Sequence, residues 1–317
     1  MTIFILMPDM TTYACTEWSA HGDMVLDGGT IIVKNRDFIP GRQELKLIEP
    51  KEGYRYFGLI DKGITFGGVN EHGLVVFNQV TGYKDAGFNL NRMIGMANLP
   101  YTVLTNYKSV DEVIENAHNF PGATTLNIAD KTKSAYIEIG VDGNYAVKEN
   151  INGFIYHTNH YLEDNMVPFI KVNDSESSLI RLERIEDLLS SVDGPFTLEN
   201  FIQISENQKD GPNNSIWRTG SESSNVRTLS TFAVRIPETG SPQLYIKLED
   251  KVGEPQFFEY NVDDIFTGKV DVVVSKPSII TSKWLIALIA TVIVIVLIVI
   301  ILLCVLLIRF IRKRRQK

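Results

Sequence analysis

The chain has 317 residues, 44% of them hydrophobic, with 38 Asp and Glu against 31 Lys and Arg and a net charge of −7. That apolar content excludes a disordered chain, and the length allows one large domain or two small ones. The acidic balance argues against a nucleic-acid partner, and two distant cysteines, Cys15 and Cys304, exclude a disulfide framework and a cysteine-based zinc site.

In chain order, residues 1–14 begin with Ile3-Phe4-Ile5-Leu6-Met7, without a basic residue and interrupted by Pro8 and Asp9. They make a poor signal peptide. Residues 15–20 and 29–38 read as early strands. In the second, the β-branched run Thr30-Ile31-Ile32-Val33 is the signal, and alternation puts Lys34 and Arg36 on one face and Asn35 and Asp37 on the other. Residues 66–78 read as a hairpin around Asn70-Glu71-His72-Gly73. Ser109-Val110-Asp111-Glu112 has the form of a capping box and predicts a helix running through His118. Residues 124–128 and 134–139 flank Ala129-Asp130-Lys131-Thr132-Lys133 as another hairpin.

Leu179, Leu182, Ile185 and Leu189 form a helical stripe. It leaves Arg181 and Arg184 off the most apolar line, either on a solvated face or reaching toward a site. Residues 197–207 read as a further helix, and residues 228–236 and 243–248 as a late hairpin around Pro237-Glu238-Thr239-Gly240. Strand blocks early and late, with helices between them, favour a layered α+β fold. His157 and His160 lie three apart on a strand or loop, so no metal site and no cofactor are expected.

After a linker at residues 273–283, residues 284–308 form a run of 25 without a charge. As a helix the run would span about 37 Å, enough to cross a bilayer core of about 30 Å, so a lipid bilayer is one expected partner. Residues 309–317 hold six Lys and Arg, leaving residues 1–308 with 25 Lys and Arg against 38 Asp and Glu, a balance of −13. The basic tail predicts a cytoplasmic C-terminus and a body outside the cell or in a lumen. Without a clear signal peptide, export would use the C-terminal helix or a start further upstream; otherwise the body is cytoplasmic.

The candidate nucleophile is Cys15, in Thr12-Tyr13-Ala14-Cys15-Thr16-Glu17-Trp18. Cleavage after Ala14 would make it the new N-terminus. Its α-amine, with a pKa of about 7.7–8.0, could then take the thiol proton. The plain alternative is a small buried hydrophobe. The order of Cys15-Thr16, then Asn35-Arg36-Asp37-Phe38, then Gly68-Val69-Asn70-Glu71-His72-Gly73-Leu74 resembles the N-terminal-nucleophile (Ntn) cysteine hydrolases. That group includes choloylglycine hydrolases, penicillin V acylases, acid ceramidase and the penicillin acyltransferase-like peptidases. Tyr156-His157-Thr158-Asn159-His160 and Ser177-Ser178-Leu179-Ile180-Arg181-Leu182-Glu183-Arg184 extend the resemblance to the last branch.

The resemblance implies a four-layer αββα sandwich over residues 15–272 and a propeptide at residues 1–14. It implies Cys15 as nucleophile and Asp37 as the group orienting the new amine. Asn159 would donate to the oxyanion, assisted by a backbone N–H near Val80, and Arg181 would be a basic residue of the site. One departure is Lys34, where relatives commonly carry Arg. Lys keeps the charge and loses the planar fork, and Arg36 could compensate only if the strand bends.

Three readings follow. The first is a membrane-anchored amidohydrolase or acyltransferase acting on a small-molecule amide or acyl substrate through a thioester. The second is a non-catalytic tethered binding or adhesion module on the same fold. The third, a papain-like Cys-His enzyme, has no supporting sequence around Cys15. Bile-acid conjugates, acyl amino acids, penicillin-like amides and peptide ends all stay open as substrates, as does the oligomeric state.

Overall fold

In the computed structural model, residues 14–81, 89–141, 143–170 and 176–277 are described. The strands are β1 (Ala14–His21), β2 (Thr30–Phe38), β3 (Glu44–Ile48), β4 (Tyr56–Asp61), β5 (Ile64–Asn70), β6 (Val75–Val80), β7 (Thr124–Ala129), β8 (Ser134–Ile139), β9 (Tyr145–Asn150), β10 (Gly153–His157), β11 (Arg227–Ile236), β12 (Gln243–Leu248), β13 (Gln256–Asn261) and β14 (Val274–Ser275). The main helices are α1 (Leu90–Asn106), α2 (Val110–Glu115), α3 (Glu176–Ser190) and α4 (Leu198–Ser205). One sheet has the order β10-β1-β2-β11-β12-β13, and the other β14-β3-β4-β5-β6-β7-β8-β9.

Three apolar layers show how these elements stack. Ile32, Phe57, Val69, Val75, Phe77, Phe232, Val234, Leu244 and Ile246 fill the space between the sheets. Trp18, Ile31, Val33 and Ala233 face the other way, toward Ile185 and Leu189 of α3 and Phe201 and Ile204 of α4. Leu99, Val103 and Leu104 of α1 and Val110 and Val113 of α2 cover the outer side of the second sheet. The arrangement is α+β with a helix layer on each outside. The period-2 pattern of β2 is therefore split between two buried layers, and the strand is buried almost throughout. Its polar end, Lys34-Asn35-Arg36-Asp37, is buried with the rest. Buried charge on this scale requires partners.

Several expectations meet the structure directly. The predicted hairpin is β5–β6. Its turn closes with Gly73 at φ +82°, and Asn70 Oδ1 accepts from the N–H groups of His72 and Leu74. The capping-box helix is α2, with Ser109 accepting from the Glu112 N–H at 3.3 Å. The Glu112 carboxylate reaches one residue further back, to the Lys108 N–H.

The 17-residue helix α1 is absent from the sequence reading, because Gly95 and Pro100 interrupt its pattern. Asn89 caps it, and tertiary packing supplies what propensity does not. The stripe on α3 is also displaced. The buried line is Ser178, Arg181, Ile185 and Leu189, and Leu179 is 45% exposed. Arg181 lies inside that line because three acceptors wait for it there, as described below. β14 falls within the stretch read as linker and pairs in parallel with β3, Val274 opposite Leu47. No helix of the described residues is long and apolar enough to cross a membrane. The predicted span at 284–308, the basic tail and residues 1–13 lie outside the described residues.

Candidate active site

β1 enters the six-stranded sheet between β10 and β2, with Cys15 opposite Arg36 and Ala14 opposite Asp37. Trp18 and Ala20 of β1 pack toward the helices, so alternation turns Cys15 and Glu17 toward the second sheet. Cys15 is 7% exposed. Burial pushes its thiol above the ordinary range, Lys34 pulls it down, and Asp37 and Glu17 push it up again. In the intact chain the thiol is protonated at neutral pH.

Around the backbone of Cys15 the predicted residues converge. The Cys15 N–H donates to Asn159 Oδ1 at 2.7 Å. Arg181 Nη2 donates to the same oxygen at 3.1 Å, while its Nη1 donates to the Cys15 carbonyl at 2.6 Å and to Thr16 Oγ1 at 2.8 Å. Two donors on Oδ1 fix which way the Asn159 amide faces. Its Nδ2 then donates to the Val80 carbonyl at 2.9 Å. Val80 thus meets Asn159 through its C=O, at the end of β6. Burial brings the Arg181 guanidinium down to about 10, with Asp37 opposing the shift, so it stays cationic at neutral pH.

Asp37 lies on the helix-facing side of β2, beside the bond between Ala14 and Cys15. Its Oδ1 accepts from the Thr228 hydroxyl at 2.7 Å. Its Oδ2 is buried with no hydrogen-bond partner, and the nearest cation, Arg218 Nη1, stands 3.7 Å away. Burial raises the Asp37 carboxyl above the usual carboxylate range, and Arg218, Arg181 and Thr228 pull it back.

Lys34 lies on the same face as Cys15. Its Nζ is 3.0 Å from Glu17 Oε1 and donates to the carbonyls of Phe66 and Asn78. Asn127 donates to the other Glu17 oxygen. Burial raises the Glu17 carboxyl, and Lys34 opposes it. Arg36 does not replace Lys34. The β1–β2 register runs unbroken from Ala14 opposite Asp37 to His21 opposite Thr30, and the irregularity sits on β11 between Thr228 and Ser230. Arg36 instead pairs with Asp61 at 2.9 Å, bonds Gln43, and lies over the Phe66 ring at 4.0 Å.

Sequence reasoning gave no role to Glu17, Ser178, Arg218 or Thr228. The signal for Glu17 was available: it is two residues from Cys15 on one strand face, and register places it opposite Lys34. Arg218 carries no local signal, because it stands in irregular chain between α4 and β11. Among the described residues no group of three His, Cys, Asp or Glu is set to hold a metal ion.

Comparisons with known proteins bear on this geometry. A search of curated proteins returned no match. The solved structures that are similar over most of both chains include an acylase, a hydrolase and an amidase. The penicillin V acylase of Agrobacterium tumefaciens is 14% identical, with 78% of this chain and 86% of that chain covered and a TM-score of 0.43. A variant of the conjugated bile acid hydrolase of Clostridium perfringens is 16% identical, with 79% and 93% covered and a TM-score of 0.45. An N-acylethanolamine-hydrolyzing acid amidase orthologue from Caenorhabditis elegans is 12% identical, with 71% and 94% covered and a TM-score of 0.49. A family model matches residues 25–248, a stretch that holds Lys34, Asp37, Asn159 and Arg181 and begins after Cys15. The chain accordingly belongs to the acyl-coenzyme A:6-aminopenicillanic acid acyl-transferase family.

Proposed function

We propose that the chain cleaves itself before Cys15 and then acts as an Ntn cysteine amidohydrolase or acyltransferase on a non-peptide amide. The observation that carries this reading is the state of the groups at the Ala14–Cys15 bond. The nitrogen that cleavage would free already has an acceptor in Asn159 Oδ1. Beside it, Asp37 Oδ2 is buried without a hydrogen bond, with the nearest cation, the Arg218 guanidinium, at 3.7 Å. Leaving such an oxygen unpaired costs about 1–3 kcal/mol, more for a charged group. A new ammonium at residue 15 would carry the missing N–H. The buried carboxylate thus fits the product of cleavage better than the intact chain.

In the first step the thiol adds to the Ala14 carbonyl. The C–N bond breaks, the thiol proton passes to the departing nitrogen, and a thioester forms. Water then splits the thioester, releasing residues 1–14 with a carboxylate and leaving Cys15 with a free thiol and amine. In each later turnover the amine takes the thiol proton and the thiolate attacks the substrate carbonyl. Asn159 Nδ2 carries two hydrogens and Val80 takes one, so the other is the proposed donor to the oxyanion. The resulting ammonium, oriented by Asp37, returns the proton to the leaving amine. Water, or an acceptor amine, takes the acyl group from the sulfur. Arg181 holds Asn159 and the Cys15 carbonyl, and Lys34 opposes the burial that keeps the thiol protonated.

The same reading has residues 284–308 anchoring the protein in a bilayer, with the basic tail cytoplasmic and the catalytic body facing outward. The test of the chemistry is the intact mass of the purified protein beside its Cys15→Ala variant. The wild type should have lost residues 1–14, and the variant should keep them. An active wild type that retains them would overturn the assignment.

A further inference from the structure

The mechanism above leaves the buried polar cluster around Ser178 unused. Ser178 is 2% exposed and stands in the first turns of α3, three residues before Arg181. Residues at that spacing share a helix face. The Asn159 backbone N–H donates to Ser178 Oγ at 2.9 Å. That oxygen is also 2.8 Å from His160 Nδ1 and 3.0 Å from Thr158 Oγ1, and the Thr158 hydroxyl donates to the Ser178 carbonyl at 3.0 Å. A hydroxyl has one proton to give. Thr158 gives its proton to the Ser178 carbonyl, and the Ser178 hydroxyl donates to Thr158 Oγ1, leaving its oxygen to meet the Asn159 N–H and His160 Nδ1. The ring is kept neutral by burial, which brings it down to about 4. Ser178 thus bonds the whole Thr158-Asn159-His160 turn to α3.

We infer that Ser178 is a positioning residue: its oxygen fixes the backbone of Asn159, Arg181 one turn later fixes the Asn159 side chain, and together they set that amide against the nitrogen of Cys15. α3 therefore grips Asn159 at two points about one helical turn apart. Neither bond reaches the reacting atoms. Both determine where Oδ1 and Nδ2 stand, and a displacement of about 1 Å in a reacting array can cost about 100-fold in rate. The inference rests on the reading of self-cleavage given above.

The experiment follows release of residues 1–14 from the full chain made in a cell-free system, by intact mass at successive times. It compares wild type, Ser178→Ala, Asn159→Ala and the double variant. Ser178→Ala should slow release about 10- to 100-fold in the wild-type background and less than about threefold in the Asn159→Ala background, since the group it positions is then gone. A residue that only supported the fold would slow both backgrounds alike. Equal effects in the two backgrounds, or no effect in the wild type, would overturn the role of Ser178 while self-cleavage stands. A wild-type chain that never releases residues 1–14 would remove the reading itself, and the inference with it.

Discussion

The donors and acceptors at the Ala14–Cys15 bond are unequal in number, and single-residue changes should report on that imbalance. Asp37→Asn keeps the shape and replaces the unpaired oxygen with an amide. It should lower kcat about 100-fold by misplacing the amine, with a smaller change in KM. Asn159→Ala should lower kcat by about 10²–10³, the usual consequence of losing one oxyanion donor, again with little change in KM. Steady-state kinetics on a panel of N-acyl amides reads both. A change confined to KM would remove the transition-state role.

His160 gives a separate test in stability. Its folded value lies near 4 against an ordinary 6.5. Above pH 6.5 the ring is neutral in both states and contributes no pH dependence. Between 6.5 and 4 the unfolded chain takes up a proton that the folded chain refuses, so stability falls by up to about 3 kcal/mol as the pH drops. Denaturant titrations across that window should show His160→Asn flattening this limb. An unchanged slope would place the loss elsewhere.

At the scale of elements, β1 and β2 carry the site because both faces of β2 are covered, so even its charged end is built into the interior. Glu17 and Lys34 are the clearest case, at 0% and 2% exposure. Removing one partner of a buried pair leaves a stranded charge and typically costs about 3–5 kcal/mol. Lys34→Met and Glu17→Leu should each destabilise by that order, and the double change by much less than their sum. Additive losses would mean that the two charges are not coupled.

The sequence made much of this legible. β-branched residues marked β2, alternation separated Lys34 from Asp37 correctly, and the motifs drew Cys15, Asp37, Asn159 and Arg181 to one place. What it could not show was contact across long separations. Periodicity left Arg181 off the apolar line, on a solvated face or reaching toward a site, whereas its guanidinium lies in the buried line because acceptors from β1 and from the loop after β10 surround it. α1 was hidden by Pro100, and Arg218 by irregular chain. The direction of the Val80 backbone depends on β6 and β7 pairing, which no local pattern encodes.

At the scale of the whole molecule, the two sheets are joined by an aromatic and aliphatic layer in which Phe77 and Phe232 meet edge to face, with centroids 5.5 Å apart. Phe77→Ala should cost about 3–5 kcal/mol by opening a cavity there. The site lies at one edge of the same layer, so the loss of stability should come with slower self-cleavage. The central claim, that the working enzyme begins at Cys15, has a direct chemical assay. A terminal cysteine is a 1,2-aminothiol, and 2-cyanobenzothiazole condenses with that pair of groups and not with an internal cysteine. Peptide mapping of the active protein should find the adduct on the peptide that starts at Cys15, with amidase or acyl-transfer activity lost in proportion to labelling. An active protein that takes up no label, with Cys15 still joined to Ala14, would contradict the account.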